Sequence, residues 1–236
     1  MKFWNWIKNE DGRTLYLDGY IAQESWFEDE VSPKEFRFEL ETAKDDITLW
    51  INSPGGDCFA ASQIYTMLKE YTGKVSVKID GIAASAASVI AMSGDEVLMS
   101  PTSILMIHNP STIIWGEEAD MKRGIEMLSE VKESIINAYE AKTGLSRKEI
   151  SQMMDRETWM SANKAQVMGF CDKVLYTENE AVPEGLMNGF MFDKATVTNN
   201  FMGKFQKMKK KDEAQIKVVP DGTPYDYLTK RLDLLK

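Results

Sequence analysis

The chain holds one histidine, His108, which follows the apolar run Ile104-Leu105-Met106-Ile107 and precedes Asn109-Pro110. Imidazole titrates near neutrality and is the commonest general base, so any serine–histidine chemistry in this chain has to use His108. Two glycine-bearing segments offer it partners. In Gly81-Ile82-Ala83-Ala84-Ser85-Ala86-Ala87-Ser88 a serine sits among alanines just after a strand-like stretch and a glycine. A serine at the turn into a helix meets free backbone N–H groups and the positive end of the helix dipole, which favour an alkoxide or a tetrahedral oxyanion. Ser85 and Ser88 both qualify by type. Ser85 lies nearer the turn, and Ser88, one turn on, reads as a packing residue. The second segment is Ser53-Pro54-Gly55-Gly56-Asp57. Its glycines let a substrate approach peptide N–H groups, as half of an oxyanion hole or as a phosphate cradle, although the lysine and spacing of a Walker loop are missing. Asp155 and Glu157 precede a short strand-like stretch and could orient the histidine. Each piece also has a plainer use: a tight turn, a close-packed helix, a structural histidine, a solvated helix end. Their conjunction is what carries weight.

Strands and helices alternate along the chain in a way that can bring these pieces together. Strand patterns cover 14–21, 47–53 and 75–79, with shorter ones at 96–100, 104–108, 158–160 and 173–176. Helical spacing covers 32–43, 59–71, a small-residue helix at 83–94, a long polar-faced helix at 117–142, a short one from the Ser146/Glu149 capping box to Met154, and 161–169. Such alternation predicts an α/β domain with a mainly parallel sheet and flanking helices, in which sites gather where strands end and helices begin. The two glycine-bearing joints are such places.

Composition narrows the class. The chain has 236 residues, 43% hydrophobic and 28% charged, ordinary for a globular protein. No apolar run approaches the roughly 18 residues of a membrane span, and MKFWNWIKNEDGR is too interrupted for a signal-peptide core. The net charge is −9, yet residues 201–236 carry nine Lys/Arg and five Asp/Glu, so the preceding 200 residues hold −13. An acidic body argues against a nucleic-acid groove. Two cysteines, Cys58 and Cys171, make neither a disulfide framework nor a metal-ligand spacing and point to a reducing, cytoplasmic compartment. From residue 179 the periodicity decays into a basic, linker-like extension, 179–236, expected to be partly flexible.

INSPGGD, GIAASA, LMIHNP and DRETWMSANKAQVMGFCDKV occur in this order, with the 117–142 helix between histidine and acid. Over about residues 14–176 they resemble the ClpP peptidase family. The resemblance implies a ClpP/crotonase-like fold, a serine endopeptidase acting on protein or peptide substrates, and a homo-oligomeric ring enclosing a chamber. It carries the nucleophile onto Ser85, the base onto His108, and the oxyanion donors onto the N–H groups of Gly56 and Ala86. Counting back from Trp159-Met160-Ser161 puts the acid on Glu157; Asp155 restores the usual residue type at the cost of a register shift. No cofactor, metal or nucleotide is expected, nor a nucleic-acid or membrane partner. The implied organisation is an N-terminal segment 1–13, a peptidase domain 14–178 and the C-terminal extension.

Two departures qualify the match. The first 13 residues have no obvious counterpart of the family's pore-lining segment, and the extension runs past the family's usual end. With the ETW and INSPGGD wording, these traits resemble the ClpP-related head maturation peptidases of tailed bacteriophages. That branch implies processing of scaffold or capsid proteins in the bacterial host cytoplasm or the assembling head. Three alternatives remain: a housekeeping ClpP working with an unfoldase, a crotonase-fold protein holding a coenzyme A thioester enolate, and a non-catalytic ring or scaffold component.

Overall fold

The computed structural model describes residues 3–9, 12–22, 33–42 and 44–176. The chain divides into two units, Met1–Gly189 and Phe190–Lys236, and every described residue belongs to the first. The extension over 179–236 and the expected cap Ser32 lie outside the described residues.

Among the described residues, six strands form the main path of the sheet, in the order β1 (Trp4–Asn9), β2 (Gly12–Ile21), β3 (Ile47–Gly56), β4 (Val75–Ala84), β5 (Glu96–Met99) and β8 (Lys173–Val174). All neighbours on it are parallel except β1 and β2, which form an antiparallel hairpin. The sequence pattern does not predict the strand over residues 4–9. The packing of its first residue explains it, because Trp4 is 2% exposed and packs edge-on against Phe3 and Phe36. Phe36 belongs to α1 (Pro33–Leu40).

One layer of the core lies between the sheet and α2 (Cys58–Lys69). Ile47, Leu49 and Ile51 of β3 alternate inward beside Val75, Val77 and Ile79 of β4, and meet Ala60, Ala61, Ile64, Met67 and Leu68 of α2. Burying each large aliphatic side chain contributes about 1.5–3 kcal/mol, so this layer fixes the strand register. Asp57 caps α2 by accepting from Ala60 N at 2.7 Å.

β4 extends past Gly81 to Ala84, so the small-residue helix begins later than its sequence predicts, as α3 (Ala86–Ala91). A second neighbour, β6 (Ile104–Ile107), holds the added residues by pairing in parallel with Ile82–Ala84. β6 in turn pairs antiparallel with β7 (Thr158–Ser161).

α4 (Glu118–Thr143), the longest helix among the described residues, is closed by Gly144 at φ 69°. α5 (Arg147–Asp155) is tied back to α4 by Arg147, which reaches Glu140 at 2.8 Å and Glu133 at 2.5 Å. The inner half of α4 buries Ile135, Ile136, Ala138 and Tyr139; its outer half leaves Met121, Ile125 and Met127 exposed. α6 (Ala162–Val167) leads to β8. Among the described residues, no helix is long and apolar enough to cross a membrane.

Candidate active site

Ser85 follows the last residue of β4 and caps α3 with φ 55° and ψ −125°. A non-glycine residue in such a conformation carries about 1–3 kcal/mol of strain and persists only where its surroundings impose it. Ser85 N donates to Met106 O at 2.9 Å, which ties the turn to β6. Because β4 and β6 run parallel with Ala84 opposite Met106, both strands finish at the same edge. The nucleophile candidate and His108 therefore emerge side by side, and His108 Nε2 lies 2.7 Å from Ser85 Oγ. For the hydroxyl to donate to Nε2, the ring proton has to sit on Nδ1, which then needs an acceptor on the far side.

Two acidic residues, Asp155 and Glu157, lie just before β7. The β6–β7 register pairs Ile107 with Thr158 and Met106 with Trp159. His108 and Glu157 are the next residues beyond the last of these pairs. Glu157 has a positive φ of 50°, its N–H donates to Met154 O at 3.1 Å, and its carboxylate accepts from Trp159 Nε1 at 3.4 Å. Asp155 is engaged elsewhere. It ends α5 on the surface and accepts from Lys132 Nζ at 2.6 Å and Asn109 Nδ2 at 2.9 Å. The Lys132 and Asn109 hydrogen bonds hold its carboxyl below the usual range. Asp155 thus braces the segment that carries His108.

The SPGG turn lies against Ser85. Ser53 is fully buried, donates to Gly19 O at 2.5 Å and accepts from Gly55 N at 3.1 Å. That bond occupies the Gly55 N–H. At Gly55, with φ +99°, a Cβ would stand 2.6 Å from Ala84 O, 2.8 Å from Ser85 Cβ and 3.0 Å from Ala86 N. Only glycine allows that approach. Ala86 N opens α3, where the first N–H groups have no intrahelical acceptor. With only six residues, α3 offers individual N–H groups rather than the dipole of a long helix.

Ser88 is completely buried, as its packing role predicts. Sequence reasoning misses Ser53, Lys132 and Asn109. Ser53 has a readable signal, a polar residue on the inward phase of β3 just before Pro-Gly-Gly. Lys132 and Asn109 have none, since they meet through Asp155 from segments far apart in the chain.

Residues 13–178 match the family model described as Clp protease. The "ATP-dependent Clp protease proteolytic subunit 1" of Chlamydia muridarum is 30% identical over 174 residues, covering 72% of this chain and 90% of that protein. The protein of the same name from Chlamydia trachomatis serovar D has the same identity and coverage. That of Chlamydia abortus is 32% identical over 151 residues, 62% of this chain and 79% of its own length. The chain therefore belongs to the Clp protease family and is a serine-type endopeptidase.

Proposed function

We propose that Ser85, His108 and Glu157 form the catalytic triad and that the N–H groups of Gly56 and Ala86 form the oxyanion hole. The observation that carries this reading is the 2.7 Å contact between His108 Nε2 and Ser85 Oγ at a strained strand-to-helix turn. Ser85 Oγ attacks the peptide carbonyl while His108 Nε2 takes its proton. The two N–H groups hold the tetrahedral oxyanion, and each such donor is worth roughly 3 kcal/mol. His108 then passes the proton to the leaving amine, and water, deprotonated by the same imidazole, releases the acyl group. Glu157 keeps the ring proton on Nδ1 and stabilises the imidazolium.

A fluorophosphonate probe tests the nucleophile. Labelling of the wild type and none of a folded Ser85→Ala variant is expected; equal labelling of both would end the assignment.

The exposed apolar residues of the outer α4 half, with Ile113 and Trp115 just before it at 83% and 89% exposure, support a homo-oligomer. The biological role we propose is processing of scaffold or capsid proteins during phage head maturation, in the bacterial host cytoplasm or the assembling head. It rests on the ETW and INSPGGD wording and on the extension beyond the family match at residue 178. The names of the chlamydial relatives favour a second reading, a proteolytic subunit of an ATP-dependent protease. Co-expression with a capsid precursor separates the two: maturation yields a few defined fragments, and a degradative subunit yields short peptides or no cleavage.

A further inference from the structure

Behind the nucleophile lie two hydroxyls that the mechanism above does not use. Ser88 is 0% exposed and Tyr139, from the inner half of α4, is 1% exposed. Ser88 Oγ donates to the Ser85 carbonyl oxygen at 2.6 Å and lies 2.7 Å from Tyr139 Oη. A carbonyl oxygen only accepts, so the single proton of Ser88 is committed to Ser85. Tyr139 is then the donor to Ser88. Burial, the largest influence on the phenol, raises its pKa well above the ordinary value, so it keeps its proton at working pH.

The Ser85 carbonyl shares a peptide unit with Ala86 N–H. That unit is planar and trans, so its C=O and N–H point in opposite directions. Whatever fixes the carbonyl fixes the direction of the N–H. Ser88 N–H also reaches this carbonyl, at 3.0 Å, so Ser88 grips it twice. On the other side, Ala86 N faces Gly55. Since the Ser85 backbone conformation is not one that serine favours, the plane depends on such outside contacts.

We propose that Ser88 and Tyr139 are positioning residues of the oxyanion hole: the relay from Tyr139 Oη through Ser88 Oγ to the Ser85 carbonyl locks the Ser85–Ala86 peptide plane and aims Ala86 N–H at the developing oxyanion. This rests on Ser85 as nucleophile and Ala86 as donor. A purely structural pair would affect stability and leave transition-state binding intact.

The test uses the full-length chain with Tyr139→Phe, Ser88→Ala, their combination and Ser85→Ala. Two readouts are followed, hydrolysis of a fluorogenic peptide and inhibition by a peptide boronic acid. The boronic acid adds Ser85 Oγ to boron without losing a group; the Ser85 proton passes to His108, and a boron-bound oxygen enters the oxyanion position. Deleting an oxyanion donor outright costs about 100- to 1,000-fold in kcat, so loosening one is expected to cost about tenfold. Each single variant should lower kcat about tenfold, leave KM within about twofold, and weaken boronate inhibition in parallel. The double variant should lose little more than Ser88→Ala, because Tyr139 acts through Ser88. Tyr139→Phe removes one oxygen only, and it carries the test if Ser88→Ala does not fold. Unchanged kcat and boronate affinity in Tyr139→Phe, with Ser85→Ala inactive, would overturn the relay alone. Full turnover by Ser85→Ala would instead overturn the nucleophile assignment, and the relay with it.

Discussion

Gly55→Ala probes how closely the SPGG turn is packed onto the nucleophile. Two costs can be read from the geometry. At φ +99° an L-residue is strained by about 1–2 kcal/mol. The new Cβ would also stand 2.6 Å from Ala84 O, against 3.4 Å for ordinary contact. The neighbour is backbone, so no side-chain rotation relieves the overlap, and overpacking of this kind adds about 1–3 kcal/mol. At about 2–4 °C per kcal/mol for a chain of this size, the melting temperature should fall by roughly 4–20 °C. The two segments must separate by about 0.8 Å, and misplacing a reacting group by about 1 Å can cost about 100-fold in rate. Turnover should therefore fall about 100-fold in the folded variant. Gly144→Ala is the control, because φ is +69° there with open space around the new Cβ. It should cost about 1 kcal/mol and leave turnover unchanged. Peptide hydrolysis below the melting transition, with thermal melts of both variants, checks the comparison. Wild-type kcat in Gly55→Ala would refute the argument that this turn and the Ser85 turn must fit together without a side chain between them.

Glu157→Gln should fold and lower kcat by at least 100-fold, whereas Asp155→Asn should lower it less than tenfold; the reverse ranking in steady-state kinetics would move the acid to Asp155. The folded-state pKa of Asp155 is depressed, so its ion pair stabilises the protein above the unfolded carboxyl pKa near 4 and is lost as pH falls through the lower folded value. Acid-unfolding curves of Asp155→Asn and wild type should accordingly differ above about pH 4 and converge below it. Burial pushes the Cys171 thiol up to about 11, and burial and Asp57 raise that of Cys58. Both thiols stay protonated at pH 8, so iodoacetamide should leave peptidase activity intact over an hour; rapid inactivation would point to a thiol in the site. Assembly through the outer half of α4 predicts that Ile125→Glu gives a smaller species than wild type by light scattering, while a strictly monomeric wild type at micromolar concentration would refute assembly.

Much of the site is legible in the sequence because its determinants are local. Pro54 with two glycines dictates a turn, alternating aliphatic residues dictate β3 and β4, and a solitary histidine leaves one candidate base. The strand in residues 4–9 is not legible. WNWIKN alternates only weakly, and its aromatic side chains find their partners in α1, about thirty residues on. Nor can the sequence show that β4 runs through Gly81 to Ala84. A strand ends where its neighbours stop pairing, and here β6 supplies three more pairs.

The choice between two acidic residues two positions apart shows the same division. Spacing from Ser161 favours Glu157, and residue type favours Asp155 as the alternative. What distinguishes them is tertiary: the last β6–β7 pair, Ile107–Thr158, lies one residue from His108 and from Glu157, and a lysine 23 residues from Asp155 claims its carboxylate. The buried chain from Tyr139 through Ser88 to Ser85 spans 51 residues between its first two members and leaves no periodic trace in the sequence. A motif records which groups the chain carries and the local turns that present them. Which partners claim the Asp155 carboxylate, and what grips the Ser85 carbonyl, depend on side chains that meet only after distant elements have packed.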